Sequence, residues 1–143
     1  MSLTTMTHTE REEFLAGLHV GVLSVVDGGA PLTIPVWYSY QPGGVVSLTT
    51  GAGSRKARAI GAAGRFSLCA QDERPPYKYV TVEGSAVIAP ASLDDRLEIA
   101  RRYLGAEGGD AFVASESGGG AESVVIRMTP ERWLSADFGK FQG

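Results

Sequence analysis

The sequence predicts a mainly β, α+β domain, in which six to seven short antiparallel strands curl into a closed or half-closed barrel with two to three helices outside it. Three observations carry this expectation. Short β-branched and aromatic runs are separated by tight turns such as Asp27-Gly28-Gly29 and Gln41-Pro42-Gly43-Gly44. From Leu32 to Tyr40 the residues alternate strictly, with Leu32, Ile34, Val36, Tyr38 and Tyr40 on one face and Thr33, Pro35, Trp37 and Ser39 on the other. Helical patterns interrupt the strands without the regular strand–helix rhythm of a parallel sheet, and closing such a set removes its unpaired edges.

The elements follow in order. A helix is expected from about Thr9 to Leu18, because Thr7-x-x-Glu10 has capping-box spacing and Phe14, Leu15 and Leu18 form an apolar face. The run from His19 to Val26 is the first strand, Leu32 to Tyr40 the second and Val45 to Thr50 the third, the last two joined as a meander. Ser54 is the N-cap of a short helix reaching Ala63. Arg65 to Gln71 forms the fourth strand, and Asp72 to Pro76 a loop, since two consecutive prolines do not suit a central strand. Tyr77 to Ala89 is a long fifth strand, bulged or bent at Gly84. Ser92-x-x-Asp95 opens a helix whose Leu93, Leu97, Ala100 and Leu104 are expected to face the barrel. Residues 105–120 are glycine-rich and expected to be a mobile loop. Glu122 to Met128 and Trp133 to Asp137 close the order, with Thr129-Pro130 between them.

The whole chain bounds the function. Its 143 residues suit one domain, 1–143. A net charge of −3 argues against a protein built to hold nucleic acid. No apolar run approaches the ~20 residues that span a bilayer, and no signal peptide opens the chain, so a cytoplasmic location without a membrane partner is expected. The single Cys69 fits a reducing compartment. With His8 and His19 as the only histidines, no zinc or iron ligand set is expected. No nucleophile elbow and no acid–base pair stands out, so an enzyme here needs a cofactor to bring reactivity.

Two stretches carry that chemistry. Thr49-Thr50-Gly51-Ala52-Gly53-Ser54-Arg55-Lys56-Ala57-Arg58 places hydroxyls, glycines and an N-cap at a strand-to-helix turn, where backbone N–H groups converge as an anion site requires. Arg55, Lys56 and Arg58 stand at the positive end of the helix dipole, a misplacement of roughly 0.3–1 kcal/mol each that a phosphate reverses in sign. A solvated basic patch is the other reading of the same residues. Gly51-x-Gly53, with Asp72 further on, also imitates a dinucleotide fingerprint, but Lys56 holds its third glycine position. In Thr33-Ile34-Pro35-Val36-Trp37-Tyr38, Pro35 marks an edge or a bulge, and Trp37 on its face flanks a planar ligand or fills core or interface.

Gly21-Val22-Leu23-Ser24, Pro35-Val36-Trp37, Ser54-Arg55-Lys56-Ala57-Arg58, the arginine-led fourth strand from Arg65, Val82-Glu83-Gly84 and Arg132-Trp133-Leu134-Ser135 together resemble the pyridoxamine 5′-phosphate oxidase-like, FMN-binding split barrels, over nearly the whole chain. The nearest likeness is to the short branch that binds the deazaflavin coenzyme F420. The resemblance implies a split β-barrel homodimer with cofactor sites at the subunit interface. It implies that Lys56 and Arg58, with Ser54 and Arg55 nearby, hold the cofactor phosphate. It implies further that Thr49 and Thr50 supply hydroxyl contacts, that Pro35, Val36 and Trp37 line the ring, and that the strand of Tyr77, Lys78 and Tyr79 faces it. The sequence ends without the C-terminal arginine and histidine segment of true pyridoxamine-phosphate oxidases, so that activity is not expected. The implied function is an F420-dependent, or else FMN-dependent, oxidoreductase passing hydride between cofactor and an unsaturated small molecule. A non-enzymatic flavin, F420 or tetrapyrrole binder is the alternative, and a dinucleotide-binding protein a third reading.

Overall fold

In the computed structural model, which describes residues 3–116 and 122–141, the first helix starts where its cap dictates. Thr7 Oγ1 accepts the Glu10 N–H at 3.1 Å and Glu10 Oε1 accepts the Thr7 N–H at 2.7 Å, opening helix α1, His8–Ala16. Strands β1, Gly21–Val25, and β2, Leu32–Val36, form an antiparallel hairpin in which Val22 faces Pro35. β3 is Val46–Gly51, helix α2 is Arg55–Ala63, and β4 is Arg65–Asp72. The long strand β5, Lys78–Pro90, leads to helix α3, Leu93–Glu116, then β6, Ser123–Met128, and β7, Arg132–Asp137. Every strand pairing is antiparallel, in the order β2-β1-β4-β5-β6-β3, with β7 added on β5.

β5 explains how one sheet closes on itself. Its first half pairs with β4 and β7, and its second half, from Ala86, pairs with β6. Gly84 stands where the strand leaves one partner set for the next. Its pairing with Phe66 is in register, so it is a bend and not a bulge. A Cβ there would overlap the Thr129 carbonyl, whose loop crosses directly over the glycine. The ring is completed at Ser39 and Ser47, which exchange two backbone hydrogen bonds of 2.9 Å between the continuation of β2 and β3. Among the described residues this is a split barrel of seven strands with three α-helices against it. Leu23, Tyr38, Leu48, Leu68, Val80, Val82, Ile126 and Met128 fill it, all essentially without solvent exposure.

Three expectations need correction. The second and third strands are not a meander, because β3 takes its ladder from β6 and touches the β2 side only through the Ser39–Ser47 bridge. On its other side, toward β1, the Tyr38 N–H donates to the Tyr103 hydroxyl at 3.2 Å, which itself donates to the carbonyl of His19, the residue opposite Tyr38 in the β1–β2 register, at 2.6 Å. A side chain thus fills the place of a ladder rung. The segment 106–116 is helical and not a loop; the remainder of the expected loop, 117–120, lies outside the described residues. α3 breaks at Gly105, whose φ of 79° only glycine adopts freely, and its second part, 106–116, folds back on the first. The two parts meet so closely at Gly109 that a Cβ would lie 2.6 Å from the Arg101 backbone nitrogen. Last, the α3 face against the barrel is Arg96, Ile99, Ala100 and Tyr103, whereas Leu93 and Leu104 are 59% and 43% exposed.

Candidate functional site

The strand-to-helix turn folds as its hydroxyls dictate. Ser54 caps α2, its Oγ accepting the Ala57 N–H at 3.2 Å and the Thr50 hydroxyl at 3.1 Å. Ala57, Ala59 and Ile60 bury the inner face of α2, and Gly64 ends it in the left-handed conformation at φ 75°. That orientation separates three neighbouring cations. Lys56 is half-buried and lines a cavity of about 440 Å³ together with Val20, Pro35, Val36, Trp37 and Thr49. Among the described residues it has no carboxylate partner. Arg55 is exposed, with its Nε 2.7 Å from Asp27 Oδ2, and with Arg58 it lines a separate hollow beside Gly28.

β2 supplies the floor of the cavity. It is the terminal strand of the order, where proline removes no needed ladder donor, and Pro35 and Val36 alternate outward and inward. Trp37 stacks on Tyr103 with ring centroids 4.9 Å apart and planes 6° from parallel, and Phe112 tilts against it at 5.6 Å. The indole is therefore held as a fixed wall. Arg102 secures the same corner from behind: its Nη2 donates to the carbonyls of Ala16 at 2.9 Å and Gly17 at 2.6 Å, satisfying the end of α1. Burial pushes the Tyr38 phenol well up, and its hydroxyl donates to the Leu15 carbonyl at 2.7 Å. Burial also holds His19 below the usual imidazole range, its ring stacked on Phe14 at 4.4 Å.

The structure thus brings five of the sequence-expected residues to one cavity: Pro35, Val36, Trp37, Thr49 and Lys56. Thr50 and Ser54 support it through the cap. Arg55 and Arg58 lie in the neighbouring hollow. Tyr77, Lys78 and Tyr79 do not line the cavity within this chain. Tyr77 stacks on Phe138 at 5.8 Å and donates to Gln71 Oε1 at 3.0 Å, while Lys78 and Tyr79 pair with β7. Sequence reasoning missed the α3 side of the cavity, made by Arg96, Ile99, Ala100, Phe112 and Glu116. The i, i+3, i+4, i+7 spacing of Arg96, Ile99, Ala100 and Tyr103 was its signal.

A family model described as pyridoxamine 5′-phosphate oxidase matches residues 7–136, nearly the whole chain. The chain belongs to the pyridoxamine 5′-phosphate oxidase family. Solved structures agree on the fold. A conserved hypothetical protein of Mycobacterium tuberculosis superposes with a TM-score of 0.78 at 22% identity, over 99% of this chain and 91% of its own. A protein described as an F420 reductase gives 0.68 at 24% identity, over 86% and 94%. A FAD-binding protein of Mesorhizobium loti gives 0.65 at 19% identity, over 91% and 92%. No curated protein matches. This family member therefore has the split barrel on which several flavin- and deazaflavin-named proteins are built. Its all-antiparallel sheet removes the parallel-fold fingerprint at the glycine pair: Gly51-x-Gly53 does not open a parallel strand–helix–strand unit, and a Cβ at either glycine meets nothing within 4 Å. Among the described residues, no helix is long and apolar enough to cross a membrane.

Proposed function

We propose that this chain is an F420-dependent, or else FMN-dependent, oxidoreductase that passes hydride between its cofactor and an unsaturated small molecule. The observation that carries the reading is Lys56, a half-buried cation with no carboxylate partner among the described residues, on the wall of a largely apolar cavity beside Trp37. A cation so placed calls for an anion, and of the N–H groups of Arg55, Lys56 and Ala57 at the start of α2 the Ser54 hydroxyl takes up only that of Ala57. The cavity volume suits a cofactor-sized ligand.

The donor set fits a phosphorylated tricyclic cofactor. Lys56 with the Thr50–Ser54 turn would hold its phosphate, Thr49 a hydroxyl contact, and Pro35, Val36 and Trp37 its ring. A reduced flavin or deazaflavin supplies hydride, and the chain supplies position and dryness. Trp37 is fixed by Tyr103, so the ring wall need not reorganise on binding. Phe112 and Ile99 limit water on the α3 side. Tyr77, Lys78 and Tyr79 reach a cofactor only where a second copy of the chain completes the site, as in a homodimer with interfacial sites, whereas Arg55 and Arg58 stay in the neighbouring hollow. A cytoplasmic location belongs to the same reading.

One observation favours a second reading, a binder without turnover. Among the described residues, the only carboxylate lining the cavity is Glu116, which is engaged by Arg96, and no histidine lines it. The first measurement is a fluorescence titration with F420 and FMN in parallel on the unaltered chain, Lys56→Ala and Arg55→Ala. Lys56→Ala is expected to weaken binding by roughly 1.5–3 kcal/mol, the worth of a charged hydrogen bond. Arg55→Ala, whose partner is Asp27, should change it by less than about 1 kcal/mol. Binding of neither cofactor overturns the reading. Tight binding without turnover of enone or quinone substrates selects the second one.

A further inference from the structure

Arg96 sits on the α3 side of the cavity and is only 18% exposed at its side chain. Its guanidinium has five N–H donors, yet among the described residues it makes two long contacts: Nη2 lies 3.4 Å from Glu116 Oε1 and 3.5 Å from the Val113 carbonyl. A good charge-assisted pair is nearer 2.7–2.9 Å, so the pair with Glu116 is a loose one. The fold-back of α3 does not depend on this pair. Arg101 Nε meets Asp110 Oδ1 at 2.6 Å, and the packing at Gly109 fastens the same two helical parts. The Arg96–Glu116 contact is thus free to exchange. Beside it, Phe112 tilts against Trp37, itself stacked on Tyr103, so the α3 side offers a flat apolar body an aromatic contact at Phe112 while Trp37 serves the cofactor ring.

We propose that Arg96 is the specificity-determining residue for the substrate: it selects a flat, apolar molecule carrying one anionic group, a carboxylate or sulfonate, and Glu116 occupies the guanidinium until that group displaces it. The proposal rests on the reading of this cavity as a cofactor and substrate site. It divides the two cations by element, with Lys56 on α2 serving the cofactor phosphate and Arg96 on α3 serving the substrate. Glu116 then opposes anions that bind only weakly, because each must replace an existing pair.

The test uses two dyes with one aromatic body, 8-anilino-1-naphthalenesulfonate and the uncharged N-phenyl-1-naphthylamine, titrated against the full chain. The chain has two tryptophans, so a Trp133→Phe background leaves Trp37, on the cavity wall, as the single tryptophan donor to bound dye, and the Arg96 and Glu116 variants place the dye in this cavity. The sulfonated dye is expected to bind about tenfold tighter than the neutral one. Glu116→Gln should tighten the sulfonate about threefold and leave the neutral dye unchanged. Arg96→Gln should abolish the preference, and Arg96→Lys should keep part of it. Equal binding of the two dyes, no transfer from Trp37 with either, or a preference that survives Arg96→Gln overturns the proposal. If Arg96→Gln loses its circular dichroism, the exposed Glu116→Gln decides alone. The same variants are titrated with F420 and FMN, and Arg96→Gln is expected to leave cofactor affinity within about twofold. A large loss there gives Arg96 to the cofactor and overturns the proposal. Cofactor binding without dye discrimination sinks this inference alone, whereas dye discrimination without cofactor binding sinks the oxidoreductase reading and leaves anion selection by Arg96 standing.

Discussion

At the scale of single residues, His19 shows how packing becomes a pH dependence. Burial against Phe14 outweighs the hydrogen bond to the Phe14 carbonyl at 3.0 Å, so the folded imidazole titrates below its ordinary value. A depressed folded pKa means the unfolded chain takes up the proton first. Its contribution is intact above the unfolded value of about 6.5 and is lost as pH falls through that value toward the folded one. Denaturant midpoints are therefore expected to fall on acidification from about pH 7 to 5, and His19→Gln should flatten that limb. A second, more acidic limb belongs to Glu10, held at about 2 by the Lys140 ammonium and the Thr7 N–H. Its stabilisation is present above the usual carboxylate value and is lost as pH drops toward about 2. A His19→Gln chain whose upper limb is unchanged would contradict this assignment.

At the scale of elements, two glycines do opposite work. Gly105 takes a φ of 79° to reverse the chain, and Gly109 lets the second part of α3 lie on the first. Gly109→Ala sets a Cβ against the Arg101 backbone, which cannot step aside, and should cost about 1–3 kcal/mol as an overpacking change. Hydrogen exchange of amides in 106–116 should speed up while the β4–β5 ladder keeps its protection. Uniform loss across the barrel would mean that α3 is not a separable unit. Gly84→Ala belongs to the same argument, but its neighbour is the Thr129 carbonyl at the centre of the closure, so the whole barrel should lose stability together. Much of this scale was legible in advance. The caps at Thr7, Ser54 and Ser92, the proline at an edge strand and the burial alternation of Val36, Tyr38 and Tyr40 follow from neighbours within a few residues. The helix at 106–116 was not legible, because its glycines read as breakers when one of them is a packing requirement.

At the scale of the whole molecule, apolar side chains remain uncovered on several elements: Leu134 on β7 is 62% exposed, and Phe138, 45% exposed, stacks on Tyr77. A second copy of the chain is the partner the proposed function calls for. The 15.1 kDa chain is expected to sediment at twice its mass, with a thermal midpoint that rises with concentration. A concentration-independent monomer would remove the homodimer and with it any role for Tyr77, Lys78 and Tyr79 at the cofactor.

The sequence by itself determined the elements other than the helix at 106–116, and most of the barrel-side lining of the cavity, because capping, alternation and turn chemistry act between near neighbours. It also placed a cationic turn after β3, since hydroxyls, glycines and basic residues there are contiguous. Only the tertiary structure decided that Lys56 and not Arg55 enters the cavity, because the buried face of α2 sets the direction of every other side chain on it. Only the tertiary structure joined β3 to β6 and brought Arg96 and Glu116 beside Trp37. Those contacts lie between residues far apart in the chain, where no local propensity acts and closure of the barrel chooses the partners.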